Sequence, residues 1–311
     1  MTATTSTGPT GGEKIAERAP QKRGTDRAQA ERRLGMKLAA PAAILMLLVT
    51  AYPIGYAVYL SLFRYDLRVP GENEFIGLSN YALVLSSGIF WQGVLATTII
   101  TVVSVAIELV IGLAFALVMH RAIFGRRTVR TSILIPYGII TVIAAFAFRF
   151  AVSPDTGFLP GDPNPLGSQV GSFATIIITE VWKTTPFMSL LLLAGLATVP
   201  EELQEAAKVD GATAWQRLWK VTLPNMKGAI LVALLFRTLD AFRIFDTVYV
   251  QTAGANDTQT LSGLGYNALI TRVNLGLGSA ISVLLFLFII VIAFVFVKGF
   301  KTNLGTVKGG E

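Results

Sequence analysis

Cysteine is absent from these 311 residues, and histidine occurs once. The first absence excludes disulfides and thiolate metal sites. The second, with no H-E-x-x-H or similar cluster, leaves no His-based metal centre or triad to build. His120 stands beside basic residues at the end of an apolar run, an interfacial position rather than a catalytic one. Charge is scarce as well, with 14% of residues charged against 53% hydrophobic. No G-x-x-x-x-G-K-[ST] loop is present to cradle a phosphate, so ATP hydrolysis is not expected of this chain. The net charge of +7 invites a nucleic-acid reading. Its distribution argues instead for a membrane protein, because Lys and Arg cluster beside apolar runs as the positive-inside rule requires.

Apolar runs of about 20 residues, long enough to span a bilayer, recur along the chain. They predict an all-α integral membrane fold with six transmembrane helices. Spans are expected at 38–63, 93–119, 132–151, 172–197, 226–250 and 278–297. Pro53 should kink the first, and Glu180, Trp182, Lys183 and Pro186 should interrupt the fourth. Residues 1–35 have no apolar stripe and read as a disordered cytoplasmic tail. A cleaved signal peptide would carry its apolar region nearer the start. The membrane domain is placed at 36–301 and a second cytoplasmic tail at 302–311. Arg121, Arg126, Arg127 and Arg130 mark one loop as cytoplasmic. The Pro-rich stretch 152–171 and the Gly-, Asn- and Thr-rich stretch 252–277 fall outside. Both termini are then inside.

The stretch 198–224, T-V-P-E-E-L-Q-E-A-A-K-V-D-G-A-T-A-W-Q-R-L-W-K-V-T-L-P, is unlike its apolar surroundings. Thr198 and Glu201 have capping-box spacing, with Pro200 in the first turn. Leu203, Ala206 and Ala207 share one helical face, and Glu201, Glu202, Gln204, Glu205 and Lys208 form the polar one. Asp210-Gly211 can end the helix, because Gly adopts a positive φ without a Cβ penalty. A second short helix carries Trp215, Leu218 and Trp219, and Leu223-Pro224 should stop it. Such a cytoplasmic helix–turn–helix offers a knob to a soluble partner.

Charges inside spans are costly and expected to face protein or water. Glu108 is one. Arg237, Asp240, Arg243 and Asp246 recur every three residues along span five, so opposite charges can pair along a helix without any ligand. With Glu180 and Lys183 of span four they can equally line a polar cavity. A sugar suits carboxylate and guanidinium hydrogen bonds beside an aromatic platform, for which Trp182, Phe187 and Phe242 are candidates. Spacing alone admits both the ladder and the cavity.

Glu205-Ala206-Ala207, then Gly211, then Val221-x-Leu223-Pro224 resembles the EAA loop of permease subunits of binding-protein-dependent ABC importers. Val221 replaces that pattern's Ile. The stretch 237–252, R-T-L-D-A-F-R-I-F-D-T-V-Y-V-Q-T, is similar to the fifth span of carbohydrate-type permeases of the maltose and trehalose type. Gly254-Ala255-Asn256 stands where G-G-P often follows. The resemblance covers about residues 35–300 and implies a type I ABC importer permease in the bacterial cell membrane. Its ATPase-coupling residues would be Glu205, Ala206, Ala207, Asp210 and Gly211. Its sugar-binding positions would be Glu180, Thr184, Phe187, Arg237, Asp240, Ala241 and Ile244, with a disaccharide, trehalose foremost, as cargo. The implied partners are a second homologous permease subunit, two ATPase subunits that hold ATP and Mg, and an extracytoplasmic sugar-binding protein. The permease itself would hold no cofactor and no metal. Two other classes compete. An ion-coupled secondary transporter would use the intramembrane charge but has no need of the EAA pattern. A membrane enzyme would make Glu108 and Glu180 catalytic, yet their flanks carry no catalytic constellation.

Overall fold

The computed structural model describes residues 23–305 apart from 70, 72, 122–124, 156 and 159–163. The chain divides into two units at Gly55, within the first helix, α1 (Arg23–Ser61). In the N-terminal unit nearly every described side chain of α1 is exposed, including Leu45, Leu47, Leu48 and Val49. An apolar helix exposed all round suits lipid. Pro41 and Pro53 both lie within it. The helix takes in residues 23–35, which composition assigned to a disordered tail. Ala, Gln, Glu and Arg dominate there, and strong helix formers extend a helix already nucleated by its apolar run. Residues 1–22 and 306–311, the rest of both expected tails, lie outside the described residues.

The second unit opens with a two-stranded hairpin, β1 (Phe63–Arg64) with β2 (Glu74–Phe75), and a short helix α2 (Ser79–Ser86). Asn80 donates to the carbonyls of Ser61 and Phe63, tying α2 to the hairpin's root. The long helices α3 (Gly88–Arg121), α6 (Gln169–Leu196) and α13 (Leu275–Gly305) are, with α1, the four described helices long and apolar enough to cross a membrane.

Two of the six expected spans are broken. Span three appears as α4 (Arg126–Leu134), a 3₁₀ turn at Pro136–Gly138 and α5 (Thr141–Ala151). Pro136 lacks an N–H and crowds the preceding turn. The segment after α6 gives α7 (Glu201–Val209), α8 (Ala214–Arg217), a π-helical stretch Leu218–Thr222 and α9 (Leu223–Asn225). Pro224 does not stop this run. The chain continues to Asn225 and turns at Met226, where the 214–225 stretch meets the next helix at a bend of 71°. Helix α10 (Lys227–Ala241) then ends in tight bonds from Arg243 N to Asp240 O and from Ile244 N to Ala241 O. After this turn come α11 (Asp246–Gln251) and α12 (Leu261–Tyr266). Span four shows no interruption: α6 runs unbroken through Pro186.

The longest helix interface joins α3 to α6. A Cβ on Gly112 would stand 2.9 Å from Met188 Cγ, and one on Gly195 would stand 2.5 Å from Ala229 Cβ. Glycine there lets α3, α6 and α10 approach closely, as membrane helices do where small residues meet. One apolar cluster (Val105, Ala116, Met188, Leu192, Ala233) binds these three helices. A second (Ile100, Ile176, Ile244, Val248) binds α3 and α6 to α11 and the turn before it.

Candidate functional site: a buried ion cluster and an exposed elbow

The polar positions of α3, α6, α10 and α11 meet between those two clusters. Arg237 is 1% exposed and Glu108 is fully buried. Arg237 Nε donates to Glu108 Oε2, and Nη2 donates to Glu108 Oε1 at 3.0 Å and to Glu180 Oε2 at 3.2 Å. Its Nη1 donates to Asp240 Oδ2 at 2.9 Å, an i,i+3 pair on α10. Thr184 Oγ1 shares its one proton between Glu108 Oε1 at 2.8 Å and its own helix's Glu180 O at 2.6 Å, and Thr247 Oγ1 donates to Glu180 Oε1. Four of the five guanidinium N–H directions are thus aimed at carboxylates, in the bidentate geometry that favours Arg over Lys. Gln251 extends the polar layer, donating to Thr179 Oγ1 at 2.8 Å.

The predicted sugar-binding positions divide by exposure. Glu180, Thr184, Arg237, Ala241 and Ile244 are buried, whereas the Asp240 side chain is 60% exposed. Asp240 is the member of the cluster that meets the surface. Phe187 is half-buried and stacks on Tyr137, with centroids 5.4 Å apart, and Lys183 Nζ lies 5.7 Å above the same Tyr137 ring. Lys183 is therefore directed to the Tyr137 ring rather than into the ion cluster. Trp182 packs against Phe148 and lines an apolar groove of about 650 Å³ with Ile107, Phe115 and Pro186. Phe242 is buried against Phe288. Arg243 and Asp246 are exposed beyond the end of α10, so the expected ladder of four charges reduces to its first pair.

Glu108 and Thr247 were absent from the expected site. A charge within the longest apolar run was the available signal for Glu108. Thr247 carried none, because only the break after α10 brings α11 against α6.

Helix α7 starts differently from its sequence signature. Pro200 is the N-cap, no side chain caps it, and Thr198 donates to Gly195 O instead. The capping box forms one helix later, where Thr213 and Gln216 bond reciprocally at the start of α8. Gly211 ends α7 at φ +75 as its position demands, with Ala212 N bonded to Ala207 O at 2.9 Å. Glu205, Ala206, Asp210 and Gly211 are exposed, and Ala207 is half-buried. The face turned toward the chain is Gln204 and Ala207, Gln204 donating to Thr222 at 2.9 Å, which leaves Leu203 43% and Val209 89% exposed. The Leu203–Ala206 face is therefore largely left open, with Ala206 and Val209 exposed and Leu203 partly covered.

Residues 108–303 match the family of the binding-protein-dependent transport system inner membrane component. The chain belongs to that family. A trehalose transport system permease protein, SugA, of Mycobacterium tuberculosis is 58% identical over 275 residues, 87% of this chain and 90% of the relative. A trehalose/maltose transport system permease protein, MalF, of Thermococcus litoralis is 38% identical over 261 residues, 81% of this chain and 88% of that one. The fold is that of a bacterial alginate ABC transporter chain crystallised with its periplasmic protein (TM-score 0.73, 20% identity, 89% of this chain and 96% of that chain). The chain is thus an importer permease of the type I ABC architecture, a multi-pass membrane subunit and a transport component. Membership lends nothing to the ion-coupled alternative.

Proposed function

We propose that this permease carries trehalose or a closely similar disaccharide inward, as half of a translocation pathway completed by a second homologous permease. Two ATPase subunits bind ATP and Mg and dock on the elbow of α7 and α8, and an extracytoplasmic sugar-binding protein delivers the cargo. Both termini are cytoplasmic in a bacterial cell membrane. The observation that carries this reading is the open elbow itself. Ala206, Gly211 and Val209 are exposed on it, between two helices that meet in the buried ion cluster. Glu205 and Asp210 beside them offer charge-assisted contacts to a partner. The 58% identity to a permease named for trehalose favours that sugar among disaccharides.

On this reading Asp240 contacts sugar hydroxyls and the Phe187–Tyr137 pair offers an apolar ring face. Glu180, Thr184, Arg237, Ala241 and Ile244 form the wall that holds them. Co-purification with the partner subunits, followed by ATP hydrolysis measured across a panel of disaccharides, tests the reading. Hydrolysis stimulated by trehalose-loaded binding protein above maltose, sucrose or lactose is expected. Equal stimulation by every sugar, or by none, rejects the assignment.

A further inference from the structure

The elbow leaves the membrane domain at the end of α6, Leu196, and the chain returns to it in α10 at Lys227. Those two helices are joined by Arg237 and Glu180. Glu108, on α3, is bonded to both of them, taking two N–H groups from Arg237 and the hydroxyl of Thr184 on its two oxygens. Thr247 brings α11 into the same cluster through Glu180. All these groups are buried, where water does not compete for the bonds. Gly112 against Met188 and Gly195 against Ala229 hold the same helix pairs nearer the elbow.

We propose that Glu108 is a positioning residue which makes α3 move together with the two helices flanking the elbow, to which the Thr247–Glu180 bond ties α11. A displacement at α7 then reaches the outer half of the permease as a rigid-body shift rather than as bending of α6 or α10. This rests on the reading of the elbow as the ATPase dock. Rigid packed elements with two arrangements are what transmit such a shift between distant sites.

The test uses the complete transporter in liposomes and compares Glu108→Gln with the unmodified chain. The carboxamide keeps the shape but loses the charge that binds Arg237. Maximal sugar uptake per assembled complex should fall about tenfold with the half-saturating sugar concentration nearly unchanged. Thr184→Val removes only the α6 hydroxyl and should act in the same direction, by about threefold. It remains informative if Glu108→Gln assembles poorly. Because the chain has no cysteine, spin labels at Val118→Cys and Leu190→Cys report the α3–α6 distance directly. One narrow distance is expected with and without ATP, and a second, broad one in Glu108→Gln. A change in half-saturation alone would make Glu108 a sugar contact and overturn the proposal. So would unaltered uptake per complex, or an unaltered distance distribution in both variants. Gly211→Val reports on the dock separately: unimpaired ATPase assembly and stimulation in that variant rejects the dock and leaves the distance measurement to judge the cluster.

Discussion

At the scale of single residues, Arg237 and Asp240 are joined by one hydrogen bond yet differ in what their loss should do. Arg237 is 1% exposed and faces Glu108 and Glu180, so Arg237→Met would strand two buried carboxylates. Breaking a buried ion pair by removing one partner costs about 3–5 kcal/mol, enough to threaten assembly. Arg237→Met is therefore expected to reduce the yield of intact transporter. Asp240 is 60% exposed and leaves Arg237 with its other carboxylates. Asp240→Ala should keep assembly and basal ATP hydrolysis while weakening apparent sugar affinity by up to roughly a hundredfold, the worth of a bonded hydroxyl. Uptake curves on purified Asp240→Ala complexes decide this, and an unchanged half-saturation removes Asp240 from the sugar path. Glu180 resembles Arg237 in this respect, since it accepts from both Arg237 and Thr247.

At the scale of elements, the hairpin β1–β2 is fastened to the start of α13 by a small polar tie. Asp66 accepts from the side chain and backbone N–H of Arg68 and from Asn274, and it forms an isolated bridge with Asn274. Gly276 bonds Tyr65 O, and a Cβ there would sit 2.2 Å from Phe63 O, so only glycine admits this crossing. Arg68 beside it holds the Asp66 carboxyl down at about 2, below the ordinary 3.8. A depressed carboxylate contributes stability that is fully present above its ordinary value and lost as pH falls through its folded one. The tie should thus hold at pH 4 and above and loosen between about pH 4 and pH 2. Pepsin cleavage near the exposed Phe75 is the readout, with faster cutting at pH 2 than at pH 4 expected beyond the enzyme's own pH response. Asp66→Asn should erase that difference; if it persists in Asp66→Asn, the tie is not its source.

At the scale of the whole molecule, the apolar surface left open divides the work between lipid and partners. Helix α1 exposes an apolar run from Leu38 to Val49, and the elbow exposes Leu203, Val209, Trp215 and Trp219. Residues 1–22 carry no apolar periodicity, and Arg27, Arg32, Arg33 and Lys37 follow them at the start of α1. Deletion of residues 2–22 is expected to leave sugar uptake unchanged when expression is matched. Lost uptake by a correctly inserted, assembled complex would show that this segment takes part in transport.

Much of this protein is legible in one dimension, for physical reasons. A bilayer demands apolar runs of fixed length, so α1, α3, α6 and α13 can be read directly from composition. A positive φ favours glycine, so the position of Gly211 in the chain is enough to mark the end of α7. The cost of charge in lipid singles out Glu108, Glu180, Arg237 and Asp240 as special. What each of those charges does is decided only by packing. Residue spacing cannot distinguish a ladder along one helix from a cluster across four. That distinction depends on the break after Ala241, which turns Arg243 and Asp246 away and brings Thr247 to Glu180. The capping box forms at Thr213 rather than Thr198 for a similar reason, since Thr198 bonds back to the preceding turn while the free start of α8 takes the cap. Local chemistry names the polar residues, and the tertiary fold chooses their partners, because a buried charge is satisfied by whichever helices close packing brings within hydrogen-bond reach.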